Sequence, residues 1–170
     1  LHALQNDTCA QPSDRWKAPT SATEFARVLK AEPDRLIVAG MTDIGLWVTK
    51  QQRELGPMLY VGDVKEFHEI AVSSKEVVIH AAVSLTDAWA ALCAVYPQWR
   101  TYADRFASTP VQNSGTLVGN LANGSPIGDA MPALLAVGAR LLLQHGESTR
   151  ELALEDFYLG YRKTALAAGE

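Results

Sequence analysis

Ile37-Val38-Ala39-Gly40-Met41-Thr42-Asp43-Ile44-Gly45-Leu46-Trp47-Val48 is an apolar run that ends on glycine and passes into a helical pattern. The nearly all-apolar stretch Arg35 to Ala39 reads as a short strand buried on both faces. Gly40 stops it, and from Asp43 onward Ile44, Trp47 and Val48 share one face of a helix. N–H groups at a helix start carry partial positive charge, so strand, glycine turn and helix start together form a natural cradle for phosphate. Gly40 would permit close approach of the backbone to a ligand, or a positive φ. The segment is not a P-loop. Gly40 and Gly45 are suitably spaced, but Leu46-Trp47 stand where Lys-Ser/Thr is required, and no GxGxxG pattern is present. Read alone, it also fits an ordinary structural turn, with Asp43 as a helix-capping carboxylate.

Working outward, Arg15 to Ala18 predicts a short strand, and Ser21-x-x-Glu24 a capping box ahead of a helix over 21–31 that Pro33 closes. Residues 14–56 thus form a small βαβ-type unit. Residues 1–13, which carry turn formers and no sustained period, read as a linker. Residues 57–170 make a larger sheet-plus-helices unit. In it Met58 to Val61, His68 to Ser73 and Glu76 to Ala82 are spaced as a meander of three strands. Ser84-x-x-Asp87 caps a helix that runs to Pro97, and a short helix covers 98–106. Ile127 to Val137 is helical, Arg140 to Gln144 pairs with Arg150 to Leu154, and Glu155 starts a last helical turn.

A second glycine-rich stretch runs from Asn113 to Asp129, seventeen residues with four Gly, three Asn and two Ser. Leu117, Val118 and Leu121 make it too apolar for a solvated linker. Its backbone polar groups therefore need partners, and it reads either as a structural Ω-loop or as a binding loop.

The whole chain has 170 residues, 48% hydrophobic and 20% charged, with a net charge of -4. That balance is globular and gives no electrostatic footprint for nucleic acid. No apolar stretch approaches the roughly 20 residues of a membrane span. Leu1 to Ala10 lacks the basic and apolar segments of a signal peptide, so a cytoplasmic location is expected. Without an initiator methionine, the chain is expected to be part of something longer. Cys9 and Cys93 stand apart with no histidine at metal spacing, so no zinc or iron–sulfur site is expected. Cys93 reads as a small core residue on a helix and Cys9 as exposed. His2, His68, His80 and His145 are scattered and read as ordinary residues.

The segments 37–48 and 115–143, with Phe157-Tyr158-Leu159-Gly160-Tyr161-Arg162-Lys163-Thr164 downstream, resemble the FAD-binding domain of the xanthine dehydrogenase family of molybdenum hydroxylases. The first family motif resembles V-x-G-x-T-E/D-x-G and the second S-L-G-G-N-I-x-x-A-S-P-I-S-D. The resemblance spans about residues 15–170. Here Val118-Gly119-Asn120 replaces Gly-Gly-Asn, Gly128-Asp129 replaces Ser-Asp, and Thr116 keeps the hydroxyl of the family's Ser. The family's flavoproteins continue through a further domain, which the resemblance implies this chain lacks.

The resemblance implies an α+β, two-subdomain FAD-binding fold of the vanillyl-alcohol-oxidase (PCMH) type. Ile37, Val38, Ala39, Gly40, Met41, Thr42, Asp43 and Ile44 would wrap the FAD pyrophosphate and ribityl chain. Thr116, Leu117, Val118, Gly119 and Asn120 would line the cofactor from the second subdomain. Asp129 would accept hydrogen bonds from it, and Phe106 would be its aromatic contact, or a core residue ending a helix. Tyr161-Arg162-Lys163 would cap a helix in solvent or join the site. No catalytic or metal-ligating residue is expected. Electrons would arrive from an iron–sulfur domain and a molybdopterin domain or subunit and leave through FAD to NAD or dioxygen. A flavin subunit of a carbon monoxide, aldehyde or hydroxybenzoyl-CoA type hydroxylase is an alternative. So is a non-catalytic interaction domain that has lost FAD.

Overall fold

Three short strands open the structure, a computed structural model that describes residues 14–167, Gly169 and Glu170. β1 (Trp16–Lys17), β2 (Leu36–Val38) and β3 (Met58–Tyr60) form a parallel sheet in the order β1-β3-β2. The register pairs Leu36, Ile37 and Val38 with Met58, Leu59 and Tyr60. β3, expected to begin a meander in the larger unit, is instead the central strand of the small sheet, and a boundary at 56/57 would cut that sheet from its middle strand. β2 is an edge strand. Val38 is buried but Ile37 is 38% exposed, so the apolar run is not covered on both faces as expected.

α1 (Ala22–Ala31) starts at the N-cap the capping box indicates: Ser21 Oγ accepts from Glu24 N, while Glu24 Oε2 accepts from Thr20 N, one residue before the cap, in place of Ser21 N. Buried Arg35 closes the small unit, donating to the carbonyls of Asp14 and Met58 and to Glu32. α2 (Ile44–Thr49) follows the glycine turn.

After a 3₁₀ turn at Lys65–His68, β4 (Ile70–Val72) and β5 (Val77–Ile79) pair as an antiparallel hairpin. α3 (Leu85–Val95), capped by Ser84, brings Leu85, Ala88, Trp89 and Leu92 to the main core. α4 (Arg100–Arg105) follows. The stretch expected as a loop from Thr109 is largely helical, as α5 (Thr109–Ser114) and α6 (Leu117–Ala122). α7 (Ala130–Ala136) begins later than Ile127. β6 (Arg140–His145) and β7 (Ser148–Ala153) form the expected hairpin. α8 (Leu154–Phe157) is the expected last helical turn.

β8 (Tyr158–Gly160) pairs with β9 (Lys163–Thr164). Tyr161-Arg162 is therefore a hairpin turn with Arg162 at φ 51, not a helix cap. α3, α6, α7 and α8 share one core with Phe106, and Cys93 packs against it. The expected linker 1–13 and Cys9 lie outside the described residues. Among the described residues no helix is long and apolar enough to cross a membrane.

Candidate functional site

The turn after β2 has an uncommon backbone. Met41 holds φ 57, a left-handed conformation that non-glycine residues adopt at a cost of about 1 kcal/mol or more. The N–H groups of Gly40, Met41, Thr42 and Asp43 find no acceptor among the described residues. Asp43 Oδ2 and Trp47 Nε1 are buried without a hydrogen-bond partner. Asp43 stands at the N-cap of α2 but its side chain makes no capping bond. Asp43 Oδ2 and Trp47 Nε1 are thus buried groups left unpaired, and the N–H groups of exposed Met41 and Thr42 are open to water or to the oxygens of a ligand.

The second glycine stretch meets this turn directly. A Cβ added to Gly40 would lie 2.0 Å from the Ser114 carbonyl oxygen, and one added to Gly115 would lie 3.3 Å from Thr42 Oγ1. Ser114 Oγ donates to the Gly40 carbonyl at 2.9 Å. Gly40 is therefore required by close approach of the two backbones to each other, a reason the sequence did not supply.

Between the two turns opens a crevice of about 620 Å³. That is within the roughly 300–1,000 Å³ of small-molecule sites. Ala39 and Gly40 line one wall, with Tyr60, Gly62 and His68 beyond them. Ser84, Thr86, Asp87, Asn113, Ser114 and Thr116 line the other. The wall offers hydroxyls, an amide, an imidazole and a carboxylate and no lysine or arginine, so an anion there would depend on hydroxyl, amide, imidazole and backbone N–H donors.

The remaining expected residues divide by what their side chains already do. Thr116 is 8% exposed, and its Oγ1 caps α6 by accepting from Gly119 N. Leu117 is buried in the main core and presents its side chain there, as Val38 does in the small unit. Asn120 Oδ1 accepts from Ala130 N at 3.1 Å, so its amide pins the start of α7. Val118 is half-buried in the first turn of α6, Ile44 is half-buried, and Met41 and Thr42 are exposed.

Phe106 and Asp129 border a separate crevice of about 530 Å³, with Gln98, Thr101, Tyr102 and Arg105. Phe106 is 5% exposed and packs its ring 5.1 Å from Trp89, so it serves the core as well as that wall. Tyr102 donates its hydroxyl to the Asp129 carbonyl. Burial, then the Asp129 carboxylate, raises the Tyr102 phenol above its ordinary pKa. The Tyr161–Lys163 hairpin packs beside the second glycine stretch, with Arg162 Cα 3.5 Å from where a Gly124 Cβ would sit.

Sequence reasoning passed over Asn113, Ser114, Thr86 and Asp87 as crevice residues. Ser84 and Asp87 were legible only as a helix cap. Nothing local marked Ser114, because its partner Gly40 is 74 positions away.

Comparison with known proteins adds to this geometry. Residues 10–170 match the family described as the FAD-binding domain in molybdopterin dehydrogenase. Xanthine dehydrogenase of Emericella nidulans is 26% identical over 97% of this chain, which spans 13% of that protein. Nicotinate hydroxylase of the same organism is 28% identical over 91% of this chain, again 13% of that protein. CO dehydrogenase from Oligotropha carboxidovorans superposes with a TM-score of 0.80 at 25% identity, over 92% of this chain and 56% of the solved one. Quinoline 2-oxidoreductase from Pseudomonas putida 86 shares the fold, with a TM-score of 0.82 at 24% identity over 93% of this chain and 56% of that one.

Proposed function

The chain belongs to the family of FAD-binding domains of molybdopterin dehydrogenases, and from this we propose that it is the electron-outlet module of a larger molybdenum hydroxylase of the xanthine dehydrogenase type. The observation that carries the reading is the run of unpartnered N–H groups from Gly40 to Asp43, set against the second glycine stretch. A diphosphate is acceptor-only, and a cluster of backbone donors suits it where no lysine or arginine lines the wall. Thr42 and Thr116 each carry a hydroxyl proton for a further bond. In this reading Asp43 Oδ2, buried without a hydrogen-bond partner, would accept from a ribityl or ribose hydroxyl. In this reading the separate crevice bordered by Phe106 and Asp129 would take another part of the same dinucleotide.

Bound FAD supplies the redox chemistry, taking electrons in and passing a hydride or single electrons on. The chain's own residues bind and orient it, and none is assigned as acid, base or nucleophile. In this reading iron–sulfur and molybdopterin groups sit on other domains or subunits, a purine-type substrate is oxidised there, and NAD or dioxygen takes the electrons. A carbon monoxide dehydrogenase-type flavin subunit is the second reading. It rests on the fold shared with CO dehydrogenase from Oligotropha carboxidovorans.

The experiment is titration of the full chain with FAD, following visible flavin absorbance and thermal unfolding together. A ligand present at a hundredfold over its Kd stabilises the folded state by about 2.7 kcal/mol. If saturating FAD gives neither a spectral change nor a rise in Tm, the domain has kept the fold without the cofactor.

A further inference from the structure

The Gly40–Met41 peptide links the two halves of the candidate site. Its carbonyl accepts the Ser114 hydroxyl proton at 2.9 Å. The described chain contains no cis peptide bond, and in a planar trans unit the C=O and N–H point in opposite directions. Fixing the Gly40 carbonyl toward Ser114 therefore fixes the Met41 N–H on the far side of that peptide, where nothing in the described chain accepts it. Met41 itself is held at φ 57, a conformation that needs outside support to persist. The Gly40 backbone cannot drift from α5 into a looser arrangement without leaving the contact that makes glycine obligatory there.

We infer that Ser114 is a positioning residue for the cofactor, setting the Gly40–Met41 peptide plane so that the Met41 N–H is presented to the FAD diphosphate. This rests on the FAD reading above and assigns a role to a residue outside both glycine motifs' expected contacts. Ser114 does not itself bond the phosphate. A serine hydroxyl has one proton, and here the Gly40 carbonyl takes it.

The test uses the full chain, FAD as the probe, and two measurements. In the wild type, FAD should move the Met41 backbone amide resonance downfield, as a new hydrogen bond to an anion does. S114A should raise the FAD Kd by about tenfold, the value of one well-formed hydrogen bond, and reduce that shift. S114T, which keeps the hydroxyl, should restore both. A structural staple alone would lower the Tm of S114A without changing the Kd of the folded protein, and that result overturns the inference. So does a wild-type Met41 amide that ignores bound FAD, a measurement that needs no variant. If the wild type binds no FAD, the FAD reading and this inference fall together; if it binds and S114A binds equally, only the inference does.

Discussion

At the scale of single residues, Gly40 and Gly45 separate two reasons for a glycine that look alike in the motif. Gly40 has backbone atoms of Ser114 and Gly115 2.0–2.7 Å from where its Cβ would be, whereas Gly45, inside α2, has nothing within 4 Å. G40A should therefore destabilise the protein by about 1–3 kcal/mol, through a backbone that must move apart. G45A should stabilise it by about 0.5–1 kcal/mol, because alanine loses less entropy in a helix. Urea midpoints of the two variants would show opposite signs; equal destabilisation would mean that α2 is not helical at Gly45. The sequence marked both positions but could not rank them, since the neighbour that decides Gly40 comes from a distant segment.

Among elements, the helices with strong local signals were the legible ones. α1 and α3 start at the serine each capping box indicated, because the box is a local hydrogen-bond pattern within four residues. α5 and α6 were read as loop. Each is six residues long, too short to show a sustained period, and glycine, asparagine and serine masked the Leu117–Leu121 spacing that buries α6. The small sheet was misread for a different reason. Nothing local in Met58 to Tyr60 indicates that this strand inserts between β1 and β2, because strand order is set by which hydrophobic faces meet. Thr116 illustrates a residue with two claims on it, as N-cap of α6 and as crevice wall. T116A should cost about 1 kcal/mol of stability and T116S much less, since serine preserves the cap. Chemical denaturation of the apo forms measures this without FAD; a T116S as unstable as T116A would point to the lost methyl rather than the hydroxyl.

For the whole molecule, polar ties between residues distant in sequence fasten the last segment and join the early glycine turn to α5. The Arg150 guanidinium reaches Glu170 and the Ala165 carbonyl, closing the last segment onto the β6–β7 hairpin. The Arg150 bond, helped by the Ala167 N–H, lowers the Glu170 carboxyl from 4.5 to about 2. A carboxyl whose pKa falls on folding contributes stability above its unfolded value and loses it as pH drops through its folded one. The difference in unfolding midpoint between wild type and E170Q should be full above pH 4.5 and vanish by about pH 2. A gap independent of pH would mean that the ion pair contributes nothing measurable. The contact between Gly40 and Ser114 has a further, kinetic consequence. Closing a chain loop of 74 positions is entropically unfavourable until much of the intervening structure is in place. In stopped-flow refolding, capture of flavin should lag behind the recovery of helical circular dichroism, so that bound colour marks the finished protein rather than any collapsed precursor.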